Sequence, residues 1–196
     1  MFEDIPKEVA ARMHHLQTLD KEHRAANMGH VQRLRQIPPE TGKFIALLAV
    51  LAPEGTYLEI GTSGGYSALW LSLACREVGR KLVTFELMEE KIKLAKETFK
   101  AAGVEDVVKQ VEGDAREYLD DYKNVSFCFL DPEKEIYTDC YEKVIPNMIA
   151  GGILVADNAI SHKEVLAPFL KRVMSDNRVD ALVVPIGRGE LLCRKL

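Results

Sequence analysis

The chain has no apolar run that approaches the roughly 18 residues needed to span a bilayer. Its first residues, from Met1 to Glu8, are already charged and contain no apolar core of the kind that marks a leader segment. Basic charge is also scarce, because 26 Lys and Arg face 30 Asp and Glu for a formal net charge of -4. We therefore expect no membrane and no nucleic acid as the main partner, since phosphate binding needs a basic face.

Cysteine pairs are missing as well. The four cysteines are Cys75, Cys128, Cys140 and Cys193, and no two of them form a Cys-x-x-Cys motif. Cys128 lies inside an apolar run, where cysteine usually serves as a small core residue. This usage predicts reduced, structural thiols in a cytoplasmic protein.

A length of 196 residues fits one domain with a full core. We divide it into an N-terminal helical extension, 1–35, and a cofactor- and metal-binding core, 36–196. In the extension, a helix over 6–24 carries an apolar stripe, and a polar loop follows over 27–39. The stripe has no obvious sheet face left to cover, which predicts that the helix forms a two-fold homodimer.

After residue 55 the pattern alternates between short apolar runs and amphipathic segments. Strands are predicted at 56–60, 81–86, 107–111, 125–130 and 152–157, and helices at 65–77, 89–102, 115–121, 134–149 and 162–175. This alternation indicates an α/β fold, a parallel sheet covered by helices on both faces. Two last runs, 179–185 and 190–194, are joined through Gly187 and Gly189, which predicts a hairpin whose final strand is antiparallel.

A glycine-rich turn follows the first of these strands. The glycines are Gly61, Gly64 and Gly65, so the spacing differs from the Gly-x-Gly-x-x-Gly of dinucleotide sites. Glu59 precedes the turn and would repel a phosphate, but it would suit a cationic ligand such as a sulfonium that carries an amino group. The alternative is a simple strand-to-helix turn.

Two further acids follow the neighbouring strands. Glu86 ends the second strand, where a carboxylate can accept hydrogen bonds from both ribose hydroxyls. Asp114 follows the third strand and could reach an adenine amino group. Together with the glycine turn they favour a nucleoside-containing cofactor, although a surface glutamate would be the ordinary explanation for Glu86 alone.

Asp131, Asp157 and Asn158 come directly after two apolar runs that we expect to be adjacent parallel strands. Two carboxylates and one amide oxygen are ligands suited to a hard cation such as Mg²⁺ or Mn²⁺, and Ca²⁺ also prefers oxygen ligands. The alternative is that each aspartate only caps the next helix. Both together, with an adjacent amide, favour the metal.

Lys134 lies at a predicted helix start, where a cation is electrostatically unfavourable, which suggests a function as general base. A solvated lysine is the commoner explanation. His162 is a possible substrate contact, although a surface histidine is the more usual case. Tyr137 and Tyr141, spaced i, i+4, indicate helix packing rather than chemistry.

With these residues in place, the chain resembles the class I S-adenosylmethionine-dependent O-methyltransferases of the catechol and caffeoyl-CoA type. The similarity extends from about Leu34 onward and rests on five segments in order: Gln36–Gly42, Leu58–Ser67, Phe129–Lys134 with Tyr137, Gly151–Gly152 and Ala156–Asn158. The resemblance implies a Rossmann-like, doubly wound seven-stranded sheet with an antiparallel last strand. It also implies a dimer in many members.

The resemblance implies roles for individual residues. The cofactor would contact Gly61, Ser63, Ser67, Glu86 and Ala115, with Ile37 covering it and Asp131 beside it. The ion would bind Asp131, Asp157 and Asn158, and Lys134 would be the base.

The chain departs from the family in two places. Glu133 stands where the animal catechol enzyme has an aromatic residue that gates a flat substrate. Asn158 is followed within a few residues by the helix predicted from His162, so we expect a shorter substrate wall than in plant and many bacterial members.

The sequence therefore predicts an S-adenosylmethionine- and Mg²⁺-dependent O-methyltransferase that acts on a small, aromatic vicinal diol. Two alternatives remain at this point. One is a nicotinamide-dependent oxidoreductase on a similar fold, which the broken glycine pattern disfavours. The other is a cofactor-binding protein without catalysis, which the presence of all three metal oxygens and Lys134 disfavours.

Overall fold

The computed structural model describes residues 1–29 and 33–196. Its helices are α1 (Lys7–Ala25), α2 (Pro39–Leu51), α3 (Tyr66–Val78), α4 (Glu89–Ala102), α5 (Ala115–Tyr118), α6 (Tyr137–Val144) and α7 (Ala167–Met174). Its strands are β1 (Thr56–Ile60), β2 (Leu82–Glu86), β3 (Val108–Glu112), β4 (Val125–Leu130), β5 (Met148–Ala156), β6 (Val179–Val184) and β7 (Glu190–Lys195). The loop predicted over 27–39 falls partly outside the described residues, at His30–Gln32.

The strands form one sheet in the order β3-β2-β1-β4-β5-β7-β6. The pairs from β3 to β5 are parallel, whereas β7 is antiparallel to both of its neighbours, β5 and β6. This confirms the predicted α/β fold with an antiparallel last strand. The strand order reverses between β1 and β4, and in such sheets ligands bind beyond the carboxyl ends of the strands at that point.

Helices cover both faces of the sheet because the central strands are apolar on both sides. All six residues of β4 are buried. Phe127 and Phe129 belong to the core beneath α1–α4, while Cys128 and Leu130 belong to the core beneath α5–α7. A strand buried on both faces reads as a continuous apolar run, which explains why its bounds were predicted correctly.

Two predicted helices are shorter than expected, and a proline explains each difference. Pro146 lies in a 3-10 turn over 145–147, so α6 ends before it and β5 begins at Met148. Pro168 lies in the first turn of α7, because proline lacks the N–H that an interior position must donate. The helix predicted from His162 therefore begins only at Ala167.

Helix α1 packs within the chain against α3 and α4. Its apolar residues Val9, Met13 and Leu16 are buried there, and Arg12 Nε donates to Thr98 Oγ1 of α4 at 3.0 Å. The stripe that suggested a dimer is therefore already covered, so the homodimer stays a prediction without that argument. Among the described residues, no helix is long and apolar enough to cross a membrane.

Candidate active site

The predicted site residues converge on one cavity of about 420 Å³ at the carboxyl ends of the central strands. Those that line it are Ile37, Gly61, Ser63, Ser67, Glu86, Asp114, Ala115, Asp131, Lys134 and Asn158. The other two, Glu59 and Asp157, are buried side chains that do not belong to the lining. Residues that are up to 121 positions apart in sequence, Ile37 and Asn158, thus share one cavity.

The turn after β1 depends on a glycine at position 61. Gly61 has φ +100°, and a Cβ added there would lie 2.5 Å from the backbone oxygen of Asp131. The amides of Gly61 and Thr62 both donate to Phe85 O of β2 at 3.1 Å. The turn therefore joins the ends of β1, β2 and β4, which is possible only without a side chain.

Glu86 at the end of β2 is fixed by backbone amides. Its Oε2 accepts from Ser63 N at 2.7 Å, and its Oε1 accepts from Leu87 N at 3.0 Å and Met88 N at 2.9 Å. A carboxylate has about four acceptor positions, so Glu86 can accept a further hydroxyl from within the cavity.

Glu59 lies fully buried beneath the glycine turn rather than facing the cavity. Its Oε2 accepts from Thr84 Oγ1 at 2.5 Å. Burial raises the pKa of Glu59 to about 7, and the charges of Asp131 and Glu86 add to that effect. The turn separates the carboxyl group of Glu59 from the cavity. The predicted direct contact with the cofactor therefore gains no support from this arrangement and stays a prediction.

Asp114 caps α5, as its side chain accepts from Arg116 N at 3.0 Å. It also forms an ion pair with the Arg116 guanidinium at 2.6 Å, which lowers the pKa of Asp114. A contact with adenine stays a prediction for this residue.

Lys134 is held in a polar cluster at the end of β4. Its Nζ lies 2.9 Å from Asp131 Oδ1, 2.8 Å from the Tyr137 hydroxyl and 3.1 Å from Pro132 O. The Lys134 side chain is only 10% exposed. The ion pair with Asp131 accounts for a cation at a helix start, and it argues against a merely solvated lysine.

Tyr137 also belongs to this cluster, a position that was not predicted from the sequence. Its hydroxyl lies 3.3 Å from Asp131 Oδ1 and 3.2 Å from Asp157 O, while its ring packs edge-on against Phe169 at 5.3 Å. The expectation of packing was therefore incomplete. The available signal for this role was a tyrosine in the first turn of a helix, three residues after a candidate base.

Asp157 and Asn158 form a rigid pair at the end of β5. Asp157 Oδ1 accepts from Asn158 N at 2.6 Å, and Oδ2 accepts from Asn158 Nδ2 at 2.9 Å. Asn158 has φ +69°, a conformation that asparagine tolerates better than most residues. Because the amide nitrogen faces Asp157, the amide oxygen of Asn158 is left for the cavity that this residue lines.

Glu190, the first residue of β7, supports Asp157 from behind and was not predicted. It is fully buried, and Thr41 Oγ1 donates to its Oε1 at 3.2 Å. Burial raises the pKa of Glu190, and the neighbouring charge of Asp157 raises it further. An acidic residue opening an otherwise apolar strand was the available signal.

The donor set fits a hard cation in its chemistry. Burial raises the pKa of Asp157, and the neighbouring charge of Asp131 adds to this, so a cation between the two would relieve their repulsion. Within residues 1–29 and 33–196, no group of three or more His, Cys, Asp or Glu side chains is placed to hold a metal. The protein would thus supply two carboxylates and one amide oxygen, and water or a ligand would supply the rest.

Glu133, which stands where the animal catechol enzyme has an aromatic residue, forms an ion pair with Arg35. Arg35 Nη1 donates to Glu133 Oε2 at 3.2 Å, and Nη2 contacts Oε1. The pair links the segment before α2 to the loop that carries Lys134.

The wall after Asn158 is longer than predicted, because turns extend over 157–166 before α7 begins. His162 lines the cavity, and its Nδ1 lies 3.0 Å from Ser161 Oγ. Ser161 N donates to Arg188 O at 2.9 Å, which ties this wall to the turn between β6 and β7. The helix start predicted at His162 was wrong, since it assumed a helix through Pro168, while a wall shorter than in plant and many bacterial members stays a prediction.

The chain is similar in sequence to a family of known proteins. The profile of a family described as O-methyltransferase matches residues 8–196. The caffeoyl-CoA O-methyltransferase of Medicago sativa is 27% identical, over 90% of this chain and 81% of the relative.

Two solved structures share the architecture. The O-methyltransferase TomG from Streptomyces achromogenes, solved in complex with SAM, has a TM-score of 0.76 and 25% identity over 92% of this chain and 88% of TomG. An O-methyltransferase from Bacillus cereus, solved with SAH, has a TM-score of 0.80 and 23% identity over 95% of this chain and 91% of that one. The second similarity is evidence for the fold alone.

Proposed function

The chain belongs to the O-methyltransferase family, and from that premise we propose that it methylates a small, aromatic vicinal diol with S-adenosylmethionine and a divalent cation. The observation that carries the proposal is the cluster of Lys134, Asp131 and Tyr137 beside Asn158. Lys134, Asp131 and Asn158 line the same cavity as the Gly61 turn and Glu86, and the buried Tyr137 hydroxyl contacts Lys134.

Each half of the cavity has its own task in this reaction. The Gly61 turn, Ser63, Ser67 and Glu86 bind the adenosine and methionine parts of the cofactor, with Ile37 above them. The acceptor lies toward Lys134 and Asn158. Holding the acceptor oxygen in line with the sulfonium methyl lowers the barrier by up to about 7–11 kcal/mol in favourable systems.

The acceptor must lose a proton, because a phenol has a pKa of about 10 and is scarcely ionised at neutral pH. In its deprotonated form Lys134 accepts this proton, and Asp131 then stabilises the ammonium group that results. Tyr137 keeps the lysine amine in place through its 2.8 Å hydrogen bond. Asp131, Asp157 and Asn158 would hold Mg²⁺ or a similar ion, whose charge favours the ionised hydroxyl.

The nicotinamide alternative has no support in the turn, where the interrupted glycine pattern fits a sulfonium cofactor better than a pyrophosphate. The non-catalytic alternative is disfavoured by the paired and partly buried Lys134. We also propose a cytoplasmic location, in keeping with four buried free thiols. A homodimer and the division at residue 35 remain further proposals.

Binding of the cofactor is tested by calorimetric titration with S-adenosylhomocysteine and, separately, with NAD. We expect binding of the first only. Glu86→Ala should weaken it by about 10–100-fold, because charge-assisted hydrogen bonds are worth about 1.5–3 kcal/mol. The matched control is Glu112→Ala, which removes an acid at the end of the neighbouring strand β3 where it pairs with Lys96. Tight NAD binding without S-adenosylhomocysteine binding would refute the cofactor assignment.

Dependence on a cation is tested by chelation. Methyl transfer to a panel of catechols should vanish with EDTA and return with Mg²⁺ or Mn²⁺. Asp157→Asn and Asn158→Gly should both weaken Mn²⁺ binding, measured by electron paramagnetic resonance, while S-adenosylhomocysteine binding survives. Glycine is chosen because it accepts the φ of +69° at position 158.

The control is Asp121→Asn. Asp121 is an exposed acid that precedes β4, at the end of that strand opposite to the cavity. It should leave Mn²⁺ binding as in the wild type. Full activity of Asp157→Asn in the presence of EDTA would eliminate the cation and leave a metal-free methyltransferase.

A further inference from the structure

The charges around the cavity are unevenly balanced. The acidic side chains of its lining each have a partner: Asp20 pairs with Arg24, Asp114 with Arg116, Asp131 with Lys134, Glu133 with Arg35, and Glu86 with backbone amides. Three lining cations, Arg33, Lys91 and Arg188, have no carboxylate within ion-pairing distance among the residues that the structure describes. In a chain of net charge -4, the cavity therefore carries an excess of positive charge.

Arg188 differs from the other two in its position. Arg33 donates to Met28 O at 2.7 Å and to Asn27 Oδ1 at 3.4 Å in the segment after α1, and Lys91 lies near Glu86 on the cofactor side. Arg188 is half-buried in the turn between β6 and β7, and the one hydrogen bond that its guanidinium makes within the described chain goes from Nη2 to Gln36 O at 3.3 Å. A guanidinium has five N–H donors, so most of its capacity is available to a ligand.

The turn that carries Arg188 is pressed against the wall that follows Asn158. Ala159 N donates to Gly189 O at 2.8 Å, and a Cβ on Gly189 would lie 2.6 Å from Ile160 N. Arg188 is thereby fixed beside the residues proposed to hold the acceptor hydroxyls, and it lines the same cavity.

We propose that Arg188 binds a carboxylate of the acceptor, so that the substrates of this protein are dihydroxylated aromatic acids rather than neutral catechols. The inference rests on the proposed function. A planar guanidinium matches a carboxylate with two parallel hydrogen bonds, and such charged pairs are about twice as strong as neutral ones. The diol end of the acceptor then faces Asn158 and Lys134, while the acid end faces Arg188.

The cofactor offers a competing carboxylate. Arg188 touches Gln36, next to Ile37, which is proposed to cover the cofactor. If Arg188 bound the methionine carboxylate instead, its loss would weaken S-adenosylhomocysteine binding and would lower the turnover of every acceptor alike. The two assignments therefore differ in a measurable way.

The test compares 3,4-dihydroxybenzoate with 3,4-dihydroxybenzamide, which differ in charge but hardly in shape. In the wild type we expect kcat/KM for the acid to exceed that for the amide by about tenfold or more. Arg188→Gln should bring this ratio close to one, and Arg188→Lys should retain part of it. Arg33→Gln is the matched control, because it removes an equally unpaired charge from the same cavity, and it should preserve the ratio.

An unchanged ratio in Arg188→Gln, or no preference in the wild type, would overturn the inference and leave the proposed function standing. Equal losses for both acceptors together with weaker S-adenosylhomocysteine binding would assign Arg188 to the cofactor and also overturn it. If neither compound is methylated, the proposed function fails. Titration of the S-adenosylhomocysteine complex with both compounds then still tests whether Arg188 binds a carboxylate. Tighter binding of the acid that depends on Arg188 supports the carboxylate site, and equal binding of both refutes it.

Discussion

Lys134→Ala is expected to lower kcat by about 10²–10⁴-fold at pH 7, the range typical of a lost general base. The variant removes the amine that lies 2.9 Å from Asp131 Oδ1 and 2.8 Å from the Tyr137 hydroxyl. Because Lys134 lies on the acceptor side of the cavity, S-adenosylhomocysteine binding should be retained. Single-turnover rates with a catechol acceptor, measured in the presence of Mg²⁺, give this number directly.

The loss should shrink as the pH rises. With no base, the reaction depends on acceptor that is already ionised, and that fraction grows about tenfold per pH unit below the phenol pKa of about 10. The wild-type rate should be flatter over the same range. Lys143→Ala, which removes a lysine of α6 that pairs with Asp120, is the control and should follow the wild-type profile. A loss of equal size at every pH, accompanied by weaker S-adenosylhomocysteine binding, would show that Lys134 is structural.

Gly61→Ala is expected to abolish cofactor binding and to lower the free energy of unfolding by about 2–5 kcal/mol. A φ of +100° is costly for alanine, and the new Cβ would lie 2.5 Å from Asp131 O, which is backbone and cannot rotate away. Strain of about 1–2 kcal/mol and overpacking of about 1–3 kcal/mol add together here. The ends of β1 and β4 would have to separate, and with them the two halves of the cavity.

Gly79→Ala separates these two contributions. Gly79 follows α3 with φ +66°, but a Cβ there would meet nothing within 4 Å, so only the backbone strain of about 1–2 kcal/mol applies. Urea unfolding of both variants gives the difference, and titration with S-adenosylhomocysteine gives the functional effect. Equal destabilisation by the two substitutions would mean that the close approach of Gly61 to Asp131 does not matter.

The elements that could be predicted from the sequence are those whose signal is local. Strands 56–60 and 125–130 and the helix at 89–102 have the predicted bounds, because each is a periodic or continuous apolar segment with polar ends. The prediction failed at 134–149 and 162–175, where apolar spacing continues through Pro146 and Pro168. A missing N–H outweighs a favourable pattern of side chains.

The parts of the candidate site that escaped prediction depend on long-range pairing. Thr41 and Glu190 are 149 positions apart, and Arg35 and Glu133 are 98 apart. Nothing in the local sequence of either partner specifies the other, since only the strand order brings them together. The predicted residues follow strand ends directly, and a general property of parallel sheets gathers those ends at one edge.

Positions 20–37 cover the cavity, and two later stretches of chain supply most of its remaining wall. Positions 61–115 supply the glycine turn, Glu86 and Asp114, whereas positions 131–189 supply Lys134, Asn158 and the turn with Arg188. Substitutions or insertions within 157–166 or 186–189 can therefore reshape one wall without touching the amides that fix Glu86. For laboratory evolution, a library confined to 157–166 and 186–189 should therefore diversify acceptor choice while its clones keep the methyl donor.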